Sequence, residues 1–159
     1  MSKITSQITP FLWYNNDAEK AAKLYVSIFK NSRILEIHRH VASRKKGVLM
    51  VRFQIDGREF IAFNGGPGHK FTEAISMFIT CKSQAEVDKY WKALTKGGKD
   101  ICCGWVQDRF GLRWQIVPEF MVEVLKNREP EKSERAFQAM LKMKKLDIKA
   151  LKRAYAGRK

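Results

Sequence analysis

The stretch NGGPGHKFTEAISMFITCKS, residues 64–83, decides how the chain is read. Gly65-Gly66-Pro67-Gly68 interrupts any regular element, and the apolar run Ala74–Cys81 then predicts a strand, with Ser83 placed to cap a helix. That helix carries Val87, Tyr90, Trp91 and Leu94 at helical spacing and ends at Gly97-Gly98. Ile101–Val106 predicts a strand, Asp108-Arg109-Phe110-Gly111 a turn, and Leu112–Val117 another strand. From residue 67 onward the order is therefore β-α-β-β, with room for one further strand.

The same order stands upstream. Thr9–Tyr14 predicts a strand leading through Asn15-Asn16 to Asp17 as a helix N-cap. Ala21, Ala22, Leu24, Tyr25, Ile28 and Phe29 recur at helical spacing, and Asn31-Ser32 supplies the stop. Strands are predicted over Ile34–Val41, Val48–Ile55 and Glu59–Asn64, the last two joined by a tight Asp56-Gly57 turn. A shift of 66 residues lays Asp17 on Ser83, Leu24 on Tyr90 and Tyr25 on Trp91. The expected fold is α+β: paired βαβββ modules, the first over 1–66 and the second over 67–120. Beyond Pro118 the spacing turns helical, over Phe120–Leu125, Glu134–Met143 with Ser133 as cap, and Asp147–Tyr155 with Asp147 as cap. Residues 121–159 thus form a C-terminal helical extension.

Composition bounds the function. A chain of 159 residues with 45% hydrophobic residues and four prolines has the means to bury a core, which excludes a disordered, collagen-like or repeat-array protein. No apolar run approaches the ~18 residues of a membrane span, and Met1–Ser6 lacks the apolar stretch of a secretory signal, so a cytoplasmic protein without membrane contact is expected. Cys81, Cys102 and Cys103 are odd in number and two are adjacent, which predicts reduced thiols. His38, His40 and His69 offer little for a structural zinc, and the first two read as part of a solvated basic edge beside Arg44-Lys45-Lys46. The net charge is +15, of which the last 34 residues contribute +8.

Several motifs in one order carry a resemblance: Ile8-Thr9-Pro10-Phe11-Leu12-Trp13, Phe29-Lys30-Asn31-Ser32, Phe63-Asn64-Gly65-Gly66-Pro67, Phe71-Thr72-Glu73-Ala74-Ile75-Ser76, Cys103-Gly104-Trp105 and Trp114-Gln115-Ile116-Val117-Pro118. Over roughly residues 4–120 the chain resembles the PhnB-like branch of the glyoxalase/bleomycin-resistance (vicinal oxygen chelate) superfamily, whose members are often labelled 3-demethylubiquinone-9 3-methyltransferase domain proteins. Ala139–Ile148 is also similar to an extension that some of them carry. The resemblance implies curved sheets enclosing a cleft, commonly completed in a homodimer.

It also implies where metal ligands would stand. Relatives that use a metal place donors near the start of each module's first strand and on its last strand. Here those positions fall on Pro10, on Ser76, on Ala62 or Asn64, and on Gln115, a set too poor in charge for a divalent ion. No metal and no cofactor are expected. Gln115, Asn64 and Ser76 are the expected hydrogen-bonding groups for an unknown small molecule, with Trp13, Phe78 and Trp105 as walls beside Phe11 and Trp114. Alternating aromatics also suit a plain core.

Other chemistries find less support. No glycine-rich turn opens a helix in the manner of a methyltransferase, since Gly65–Gly68 leads into another strand. Cys102-Cys103 reads as structural, and Asp56, Glu59, Asp108 and Glu119 read as solvated turn or strand-end acids, leaving Glu73 as the one catalytic candidate. The sequence does not decide between a binding protein and an enzyme. The alternative is a nucleic-acid or polyanion-binding module acting through the basic tail.

Overall fold

A computed structural model of the chain describes residues 8–41, 46–126 and 128–158, so the expectations for Met1–Ser6 and for Arg44-Lys45 lie outside the described residues. The chain divides after Phe71 into two compact units. The first holds β1 (Phe11–Tyr14), α1 (Ala18–Ile28), β2 (Arg33–Arg39), β3 (Val48–Ile55) and β4 (Arg58–Asn64). Its sheet has the order β1-β4-β3-β2, with β1 parallel to β4 and the other pairs antiparallel. The two-residue turn between β3 and β4 needs positive φ at both centres, and Asp56 (φ 47°) and Gly57 (φ 80°) supply it.

Alternation decides the two faces of this sheet. Val51, Phe53, Ile55, Phe60 and Ala62 are buried on the side of α1, where the Phe53 ring lies 6.2 Å from that of Tyr25. The helix does not begin as expected. Asp17 stands at the N-cap position but makes no capping bond, and its carboxylate meets Lys20 at 2.9 Å. Asn64 at the end of β4 caps instead, accepting from the Ala18 amide at 2.9 Å. An acceptor from a distant strand does the work of a local one.

The second unit holds β5 (Met77–Cys81), α2 (Gln84–Thr95), β6 (Lys99–Asp100), β7 (Trp105–Gln107) and β8 (Arg113–Pro118), in sheet order β5-β8-β7-β6. Ser83 caps α2 through the Glu86 amide at 3.3 Å, and Glu86 reaches back to the Lys82 amide at 2.7 Å, so the expected cap is present. The single strand expected over Ile101–Val106 is instead a turn between two short strands. Cys103 (φ 54°) and Gly104 (φ 83°) take left-handed backbone, and Trp105 donates to the Cys102 carbonyl at 2.8 Å. A Cβ at position 104 would stand 2.8 Å from the Ile116 carbonyl oxygen, so only glycine lets the turn lie this close to β8.

The same unit carries α3 (Glu119–Val124), α4 (Pro130–Leu141) and α5 (Ile148–Tyr155). Helix α4 starts earlier than expected because Pro130 occupies its first turn, and Ser133 is a buried residue within it rather than its cap. Asp147 does cap α5, accepting from Ala150 at 2.8 Å. These helices are packed onto the module. Val117, Met121, Val124, Ala136, Leu146 and Leu151 form one buried cluster, and the backbone of Met143 and Lys144 accepts from the Cys103 and Gly104 amides at 2.7 and 2.8 Å. Among the described residues no helix is long and apolar enough to cross a membrane.

Candidate functional site

Strand register brings together four of the residues picked out in the sequence. Gln115 on β8 lies opposite Phe78 on β5 and Trp105 on β7, so one row across three strands reads aromatic, amide, aromatic. The Gln115 amide nitrogen donates to the Ser76 hydroxyl at 2.9 Å. Phe78 is half exposed, and Ser76, Trp105 and Gln115 are partly buried. Whichever way the amide is turned, the pair keeps both donating and accepting capacity beyond its mutual bond. This face of the second unit therefore presents a polar pair framed by two ring systems.

The next row on the same face pairs Arg113 with Gln107. Arg113 donates to the Gln107 side-chain oxygen and to the Glu73 carboxylate, a contact that bridges a loop to the strand. A hydrogen bond from its own backbone amide, then that from Arg113, holds the Glu73 carboxyl below the usual carboxylate range. At neutral pH Glu73 is an ionised, exposed group masked by a guanidinium.

The opposite face of this sheet is core. Trp114, expected as a wall, is buried, and its indole nitrogen donates to Asp108 at 2.9 Å. Asp108 corrects a second expectation: it is 1% exposed, and its carboxylate also accepts from the Phe110 and Leu112 amides at 2.8 and 3.1 Å. The acid at the start of the turn is the turn's internal scaffold.

In the first unit, Trp13 and Asn64 line a groove of about 340 Å³ together with Phe63, His40 and Lys46. Both are held by protein groups. Trp13 donates to the Gly66 carbonyl at 2.9 Å and packs so closely on Gly65 that a Cβ there would meet its ring at 2.1 Å. Asn64 accepts from Ala18 and donates to the Val48 carbonyl at 2.9 Å, so both ends of its amide are engaged. Ala62, the other position offered for a ligand, is fully buried on the α1 side. The face away from α1 carries instead an ionic network that sequence reasoning missed. Arg52 lies 2.9 Å from Glu36 and 2.6 Å from Glu59, and His38 is 3.0 Å from Glu36. The Glu59 side chain is only 7% exposed, contrary to the solvated acid expected, and the hydrogen bonds that Arg52 donates to Glu59 and then to Glu36 raise the Arg52 pKa.

The donor set fits a divalent metal poorly. Among the described residues no three His, Cys, Asp or Glu side chains stand together as ligands, and the Ser76–Gln115 pair is a neutral hydroxyl and amide. Two of the thiols are poor nucleophiles: burial, with Glu86 nearby, pushes Cys81 up to about 12, and burial followed by Cys102 raises Cys103.

The comparisons bear on the family and the fold. The 3-demethylubiquinone-9 3-methyltransferase family matches residues 6–117. A PhnB protein from Bacillus cereus, described under the same methyltransferase name, is 30% identical over 71% of this chain and 99% of its own, with a TM-score of 0.66. A protein from Pseudomonas aeruginosa is 20% identical over 72% of this chain and 98% of its own, with a TM-score of 0.61. A point mutant of a fosfomycin resistance protein, FosX, from Listeria monocytogenes, complexed with Mn(II) and 1S,2S-dihydroxypropylphosphonic acid, is 17% identical over 72% of this chain and 92% of its own, with a TM-score of 0.54, and shares the fold. No curated protein matches the chain. The matched family spans more than two thirds of the sequence, and its two βαβββ units are both present: the chain belongs to the 3-demethylubiquinone-9 3-methyltransferase (PhnB-like) family, with the glyoxalase fold.

Proposed function

We propose that the protein binds a small, neutral, planar molecule on the second unit's sheet without a divalent metal. The observation that carries this reading is the row Phe78–Gln115–Trp105 with Ser76 hydrogen-bonded to its centre. Ring faces supply apolar contact, and the amide and hydroxyl fix orientation, the usual division of labour in a small-molecule site. Charge on the ligand is disfavoured as a requirement, because the nearest guanidinium, Arg113, is already committed to Glu73 and Gln107. The FosX relative holds Mn(II), but the donor set here argues for recognition by hydrogen bonds instead.

Titration of isotope-labelled full-length chain with a library of neutral planar fragments tests the proposal. Fragments that bind are expected to shift the Gln115 side-chain amide and the Trp105 indole resonance together. Gln115→Ala should weaken them about tenfold, the worth of one lost hydrogen bond of roughly 1.4 kcal/mol. Binding that leaves both resonances unmoved, or that survives Gln115→Ala unchanged, would overturn it.

A further inference from the structure

We propose that the cleft where the start of α5 meets the start of α2 is a second binding site, selective for a compact ligand carrying two or more phosphate groups. The cleft is about 730 Å³ and is lined by Lys82, Ser83 and Gln84 from the module and by Asp147–Lys149, Lys152, Arg153, Ala156 and Arg158 from the tail. Five basic residues, Lys82, Lys149, Lys152, Arg153 and Arg158, therefore line one space, the Lys152 ammonium lying 5.7 Å from the centroid of the Phe120 ring beside it. Among the described residues none of the five is ion-paired, whereas Lys126, Lys132, Lys144 and Lys145 meet carboxylates and Arg135 donates to the Ala154 and Tyr155 carbonyls. The only acid in the lining, Asp147, is turned to the Ala150 amide as a cap.

The walls are built rather than draped. Gln84 accepts from the Ile148 amide at 2.9 Å and donates to the Leu146 carbonyl at 3.1 Å, which rivets the tail helix to the module. Leu146 and Leu151 anchor the same helix in the buried cluster. Holding five basic side chains around one cleft with Asp147 as the single acid in the lining costs stability, and an oligoanion removes that cost. The volume lies in the range of small-molecule sites, which favours a free oligophosphate or phosphorylated metabolite over the extended backbone of a nucleic acid. The site is independent of the Gln115 row, so failure of either reading leaves the other standing.

The test is calorimetric and NMR titration of the full chain with inorganic tripolyphosphate, with a 20-base-pair DNA duplex as a second arm. Saturable 1:1 binding is expected, with shifts in the amides of 82–84 and 147–150. Lys149→Glu should weaken it at least tenfold, and the fold should survive because an acid is welcome in the first turn of a helix. Lys142→Glu makes the same change of net charge on an exposed residue outside the cleft and should alter Kd less than about twofold. Equal losses in the two variants, or no saturable tripolyphosphate binding, overturn the site. Duplex binding that tripolyphosphate does not displace would assign the charge to an extended nucleic-acid surface and overturn it as well.

Discussion

Asp108→Ala should lower the unfolding free energy by roughly 3–5 kcal/mol, in the far tail of single substitutions. One buried carboxylate serves three donors from Phe110, Leu112 and Trp114, and alanine serves none. The indole N–H of Trp114 is then left buried beside a void, which costs more than the bond itself was worth. Asp108→Asn should recover part of the loss. One oxygen can still receive the two backbone amides, but an amide nitrogen facing the indole N–H replaces an acceptor with a donor. Urea denaturation with the indole resonance of Trp114 as reporter checks both variants. Near-native stability for Asp108→Ala would mean that the β7–β8 turn is held by something else.

Leu146→Ala should cost about 3 kcal/mol, within the 2–5 kcal/mol of large-to-small changes in cores, and lower the melting temperature by roughly 6–12 °C. Leu146 is fully buried in the cluster that joins Val117 of β8 and Met121 of α3 to Ala136 of α4 and Leu151 of α5. The loss should also loosen α5 and with it the basic cleft, whose far wall it supplies. Leu141→Ala is the matched control. That side chain is 47% exposed at the end of α4, so its removal should change stability by less than about 0.5 kcal/mol. Equal small effects from the two would show that the tail is an appendage. For the same reason, deleting residues 126–159 should expose Val117, Met121 and Val124 and destabilise the second unit, beyond removing charge.

The local parts of the fold are written locally. Alternation over Val48–Ile55, the positive-φ pair Asp56-Gly57 and the caps Ser83 and Asp147 each depend on neighbours within a few residues, and each is found where the pattern places it. What depends on register or on distant partners is not legible in this way. Asn64 caps a helix 46 residues before it, so Asp17 looked like the cap. The Glu36–Arg52–Glu59 network joins residues from three strands that meet only once the pairing is fixed. Asp108 looked solvated because an acid opening a turn usually is, and only the placement of Trp114 on the core face makes it internal. For the candidate site, the residue types Ser76, Phe78, Trp105 and Gln115 were readable, and their alignment in one row required the β5-β8-β7 order. The tail's charge was countable, but which cations are paired and which face a cleft was not.

The most direct test of metal-independent recognition is a Mn(II) titration of the full chain, read by the paramagnetic signal of the free ion. A neutral amide and hydroxyl cannot replace the carboxylates that hold hard cations, so no saturable site tighter than about 0.1 mM is expected, and Gln115→Ala should leave the titration unchanged. One ion per chain bound at micromolar concentration, and lost in Gln115→Ala, would contradict the account.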